Sequence, residues 1–154
     1  MKLSVFIWVL FFSTMGCKNK QSDADYKSST DFYNKTVESH PGKKLMETYC
    51  YACHDATTSE ETRLAPPMIA IKRRYIFKNT TQEAFTNDMQ NWIKNPNEIN
   101  AKMFGAVKRF GIMPKILYPE KDIEQIADFI FNNDIEQPEW FEEHYNQNMG
   151  KGMR

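Results

Sequence analysis

The chain has 154 residues, and its 20 Lys and Arg are balanced by 20 Asp and Glu, so it carries no net formal charge. That length suits a single domain. The lack of a basic excess argues against nucleic acid as a partner.

The first stretch is an export signal by its shape. Lys2 is a short positive region, residues 3–12 are apolar, and residues 13–16 end in a small Gly16 just before Cys17. The apolar run is too short for an ordinary membrane span and has the proportions of a secretory signal peptide. It resembles a bacterial lipoprotein signal. The resemblance implies that residues 1–16 are removed and that Cys17 becomes the lipidated first residue, held to a membrane by acyl burial. Thr14 departs from the Leu common at that place in such signals, so a plain signal peptide or an uncleaved anchor is the alternative. Residues 17–37 then read as a lipid-anchored flexible tether. Lys, Asn, Ser, Asp and Thr dominate residues 18–36, which bury too little to order themselves. Such a tether spans about 25 Å r.m.s., and Phe32, Tyr33 and Val37 mark a soft boundary.

Residues 38–135 read as the folded domain. A helix is predicted from near Gly42, with Pro41 suiting its start and Leu45, Met46 and Tyr49 forming its apolar side. It runs into Cys50–Tyr51–Ala52–Cys53–His54. Two thiols three residues apart, followed directly by an imidazole, suit covalent attachment of one haem. Each thiol forms a thioether to one porphyrin vinyl group, and His54 becomes an axial iron ligand. Two alternatives compete with this one. A dithiol redox site expects a βαβ pattern around the cysteines. A structural zinc site needs four ligands, and no second cysteine pair or paired His lies nearby.

Residues 55–61 are polar and read as loop. Pro66 and Pro67 force an extended backbone before a helical stretch at residues 69–77. Thr80 and Glu83 have capping-box spacing, and Phe85, Met89, Trp92 and Ile93 follow at helical spacing up to Pro96. Residues 95–100 are turn-rich, residues 101–110 form a short helix, and residues 111–114 form a loop. Pro119 suits the first turn of a last helix, with Glu120, Asp122 and Glu124 complementing its dipole. Ile123, Ile126, Ala127 and Ile130 are its buried stripe, flanked by Phe129 and Phe131. Residues 136–154 contain Trp140, Phe141 and Tyr145 without a period. They either fold back on the domain or dock a partner.

A haem ligated by His54 has a second axial position. Methionine sulfur, a soft neutral ligand, favours reduced iron. Met46 sits in a helix stripe, Met68 follows His54 too closely, and Met89 lies in another stripe. Met113 is preferred over Met103. It lies in a loop between Gly111 and Pro114, a setting that holds a ligand still, just before the last helix. Met as core filler is the competing reading for each. His40 and His144, both in polar segments, are the alternative ligands.

With these residues in hand, the chain resembles a class I, mono-haem cytochrome c over residues 42–133. The helix leading into Cys50, Cys53 and His54, the Pro66–Pro67 loop, Met113 with Pro114 and the striped last helix carry the likeness. The resemblance implies a small all-α fold wrapped around one covalently attached haem c, with the first and last helices crossing near it. It gives Pro66 or Pro67 the carbonyl that accepts the His54 N–H, which orients the ring. Trp92 becomes a hydrogen-bond donor to a haem propionate, with a plain core Trp as the alternative. Export fits, because bacteria complete this attachment outside the cytoplasm. The expected role is one-electron transfer between membrane or periplasmic redox partners by a monomer that is not itself an enzyme. A haem-based sensor or gas-binding module with a labile distal ligand is the alternative. Lys102, Lys108, Arg109 and Lys115 flank Met113 and form a candidate basic rim that steers an acidic partner.

Overall fold

The computed structural model describes residues 30–31 and 33–149. The signal segment, Cys17, most of the tether and residues 150–154 lie outside the described residues. The chain divides into two units at residues 34 and 35. Of the first, residues 30–31 and 33–34 are described and helical.

In the second unit helices alternate with irregular segments, with no strand among the described residues. Residues 35–37, the end of the expected tether, are helical. Val37 packs against the core and gives that turn a reason to order. The next helix, α1 (Pro41–Tyr49), begins where His40 Nδ1 accepts from the Gly42 N–H at 3.0 Å and Pro41 presets the first turn. It bends at Cys50, whose N–H donates to the Met46 carbonyl at 2.8 Å, and passes into the single turn α2 (Tyr51–His54). After a loop come α3 (Met68–Tyr75), α4 (Gln82–Lys94), α5 (Phe104–Phe110), α6 (Glu120–Asn132) and α7 (Phe141–Met149).

The expected cap of α4 is off by one residue. Thr81, not Thr80, is the N-cap and accepts from the Ala84 N–H at 3.1 Å. The Thr80 hydroxyl accepts from the Phe77 N–H and closes the preceding turn instead. Pro119 sits at the N-cap of α6, one place before the first turn.

The core forms where α6 packs on α1 and α4. Met46, Phe85, Ile126, Phe129 and Ile130 are completely buried, each contributing about 1.5–3 kcal/mol relative to exposure. Phe129, expected at the flank of the stripe, is buried because α1 approaches so closely. A Cβ built on Gly42 would lie 1.9 Å from the Gln125 carbonyl oxygen and 2.8 Å from the Phe129 Cβ. Polar contacts fix the ends of this crossing. His40 Nε2 meets Asp128 Oδ2 at 3.1 Å, and the Tyr49 hydroxyl donates to Asp122 Oδ2 at 2.9 Å. The Tyr49 ring stacks on Tyr118 at 4.7 Å, and the Tyr118 hydroxyl donates to the Tyr49 carbonyl.

The extension after the last core helix folds back on the unit. Phe141 is buried. Arg73 of α3 pairs with Glu142 and lies 4.9 Å from the Tyr145 ring centroid. The Trp140 indole N–H donates to the Thr58 carbonyl at 3.2 Å, which ties the extension to the loop after His54. That loop is itself wound around Asp55, whose carboxylate accepts from the N–H and hydroxyl groups of Thr57 and Thr58. Burial works against the Asp55 charge, but these donors outweigh it and hold the carboxyl below its usual range.

Gly42→Ala is expected to lower stability by about 1–3 kcal/mol or more, because backbone rather than a flexible side chain stands in the way. Urea unfolding of the full chain measures it, and an unchanged midpoint would mean that the α1–α6 crossing is looser than described.

Candidate haem-binding cleft

Between the α1–α2 segment and the chain leading to α6 lies an open cleft with an empty volume of about 1260 Å³, open solvent included. Its lining is mainly apolar. Cys50, Cys53, His54, Leu64 and Pro66 come from one stretch of chain, and Met103, Val107, Ile112, Met113 and Pro114 from another. Met68, Tyr75, Met89, Trp92 and Ile126 join from the core side.

The geometry around His54 follows from two local facts. One helical turn, with the Cys53 and His54 N–H groups both donating to the Cys50 carbonyl, brings Cys50, Cys53 and His54 onto the same lining. The extended backbone at the two prolines then brings the Pro66 carbonyl to 2.6 Å from His54 Nδ1. A carbonyl only accepts, so Nδ1 carries the proton and Nε2 keeps its lone pair. Burial lowers the His54 pKa, and the Pro66 bond opposes this without cancelling it. The imidazole is therefore neutral at pH 7, the form that binds metal. Pro67 has a different job. It is buried and caps α3, and its carbonyl accepts from Ala70 and Ile71. It does not line the cleft, so of the two prolines offered for the His54 N–H, Pro66 is the one that meets it.

Cys50 and Cys53 are both free thiols. Burial pushes the Cys50 thiol up to about 11, while Cys53 is exposed. Of the methionines, Met46 is spent in the core, and Met68 and Met89 are also almost fully buried. Met103 and Met113 are half-buried on the lining. The Met103 carbonyl starts α5 by accepting from Ala106 and Val107. Met113 follows Gly111, whose φ of 81° turns the chain out of α5. His40 and His144 do not line the cleft. His40 holds Gly42 and Asp128, and His144 Nδ1 meets Glu60 at 2.9 Å.

A family model described as cytochrome c matches residues 39–134. This chain belongs to the cytochrome c family. No curated protein and no solved structure matches it. The all-α fold agrees with a class I cytochrome c, a family whose business is haem-based electron transfer.

The cleft of this cytochrome c passes a chemical test for haem. It combines an apolar lining, two unpaired thiols at the edge of a helical turn, an imidazole with one free ring nitrogen, and a thioether. The zinc alternative finds no support, because no group of three or more His, Cys, Asp or Glu side chains gathers among the described residues. The dithiol alternative lacks its βαβ surround.

Trp92 is half-buried on the cleft wall rather than in the core. The basic rim is smaller than expected. Lys102 pairs with Asp88 and lies over the Tyr75 ring, and Arg109 pairs with Glu60 at 3.1 Å. Lys108 and Lys115, on either side of Met113 in sequence, are left exposed. Sequence reasoning missed Leu64 and Ile112, both exposed apolar side chains on the cleft lining. An isolated apolar residue in a loop carries no periodic signal.

A matched pair of substitutions tests the turn into Met113. Neither Gly105 nor Gly111 has an atom within 4 Å of a built Cβ, but only Gly111 has positive φ. Gly111→Ala is expected to cost about 1–3 kcal/mol through backbone strain, whereas Gly105→Ala, inside α5, is expected to gain about 0.5–1 kcal/mol. Thermal unfolding of both variants gives the comparison, and equal midpoints would contradict it.

Proposed function

We propose that this cytochrome c is a one-electron carrier with a single haem, joined through thioethers to Cys50 and Cys53 and ligated by His54 and Met113. The observation that carries the reading is the 2.6 Å bond between His54 Nδ1 and the Pro66 carbonyl. It fixes the tautomer and the ring, and it leaves Nε2 as a free ligand atom on a lining that Met113 shares.

The bound haem would supply reversible one-electron chemistry at iron. The protein's part is attachment, ligation and exclusion of water. With both His54 and Met113 as ligands, the coordination would stay the same in the two oxidation states, so little would have to reorganise. A neutral thioether favours the reduced state, and the apolar lining favours the less charged one. The Trp92 indole N–H, which meets no protein acceptor among the described residues, is offered to a haem propionate. No acid, base or nucleophile is needed, and the role is carriage rather than catalysis.

The exposed apolar groups at the cleft mouth, Leu64, Ile112 and Ile116, lie on the same lining as Met113, with Lys108 and Lys115 nearby in sequence. They suit a redox protein with an acidic rim. The N-terminal sequence supports export and attachment to an envelope membrane through lipid on Cys17, with the domain reaching its partners on the intervening tether. The sensor reading rests on one feature, that Met113 is half-buried in an irregular segment.

Visible spectra of haem-matured wild type and Met113→Ala decide between carrier and sensor. The carrier reading expects low-spin haem that ignores CO in the wild type and becomes high-spin and CO-reactive in Met113→Ala, with Met103→Ala unchanged. Wild-type protein that binds CO when reduced would favour the sensor.

A further inference from the structure

The extension beyond residue 134, where the family match ends, reaches back to the loop that follows His54. At their junction sits Arg63, only 6% exposed. Its Nη2 donates to the Asp55 carbonyl at 2.8 Å, one residue after His54. Its guanidinium lies 5.0 Å from the Trp140 ring centroid. Nε and Nη1 are buried and meet no acceptor in the protein. Nor does a carboxylate neutralise the charge directly. Asp55 turns its carboxylate to Thr57 and Thr58, and Glu60 gives its carboxylate to Arg109 and His144.

A buried cation without an ion-pair partner is expensive to keep, and an aromatic face over it offsets part of that cost. Such a group is a field source. Charges interact more strongly the less water lies between and around them. If the reading above holds, the site gains one positive charge each time the haem is oxidised. A fixed cation beside the His54 segment then disfavours the oxidised form.

We propose that Arg63 is a built-in charge that raises the haem's reduction potential, and that Trp140 of the C-terminal extension is the positioning residue that keeps it covered. Trp140 does this with two contacts. Its ring shields the guanidinium, and its N–H holds the Thr58 carbonyl. The Glu60 carboxylate, shared by His144 of α7 and Arg109 of α5, latches the same loop a second time. The extension is thus part of the haem site although it contributes nothing to the cleft lining.

The test is an equilibrium redox titration of the full, haem-matured chain, with spin state read from the visible spectrum in the same samples. Arg63→Gln is expected to lower the midpoint enough to change the ratio of reduced to oxidised protein at least tenfold at fixed ambient potential, about 59 mV for one electron. Arg63→Lys keeps the charge and is expected to keep most of the potential. Trp140→Phe keeps a ring over the guanidinium but loses the bond to Thr58, and is expected to fall only slightly, while Trp140→Ala admits water and falls towards Arg63→Gln. A low-spin Arg63→Gln at the wild-type potential would overturn the proposal, and so would Arg63→Lys falling as far as Arg63→Gln. If Arg63→Gln does not mature, equal potentials for Trp140→Phe and Trp140→Ala would overturn it. Failure of the haem reading itself looks different, because the wild type is then colourless before any potential is read.

Discussion

The crossing of α1 and α6 at Gly42 is the constraint on which the rest of the structure hangs. The backbone of one helix touches the backbone of the other there, leaving no room for a Cβ. Both ends of the cleft are attached to that crossing. Cys50, Cys53 and His54 continue directly from α1, and Met113 lies on the segment that leads into Pro119 and α6. Tyr49 reinforces the arrangement, because it bonds Asp122 and stacks on Tyr118 at the point where the two segments leave the core. Helix packing thus fixes where the two sides of the cleft leave the core, and the irregular segment before α6 carries Met113.

The second requirement is a polar atom presented on an apolar lining without breaking it. Pro66 meets it economically. A proline carbonyl carries no competing donor, and the residues around it are extended, so a single acceptor reaches His54 and fixes one tautomer. Pro67 then turns the chain into α3, which supplies Met68, Ile71 and Tyr75 to the core side of the cleft. The two prolines look alike in sequence and do separate work.

Sequence was most informative where chemistry or period was local. The 50–54 pentad, the Ile123, Ile126, Ala127 and Ile130 stripe and the break at Pro96 depend on spacing within a few residues, and the fold follows them. What it left open depends on contacts between distant segments. Neither the loop after His54 nor the extension shows a period in sequence, because over residues 136–149 the extension and that loop are held to each other through Trp140, Thr58 and Arg63. Lys102 and Arg109 read as free rim charges, since Asp88 and Glu60 approach them only in the fold. Thr80 and Thr81 are adjacent hydroxyls, and only the backbone decides which of them caps α4.

Covalent retention of one haem in this cleft is open to direct measurement. Intact mass and visible absorption of the full chain, matured with a c-type haem apparatus and then denatured, test it most directly. The expected result is a mass increase of one haem that survives denaturation and is lost from a Cys50→Ser, Cys53→Ser double variant. A colourless protein with both thiols free to titrate would contradict it.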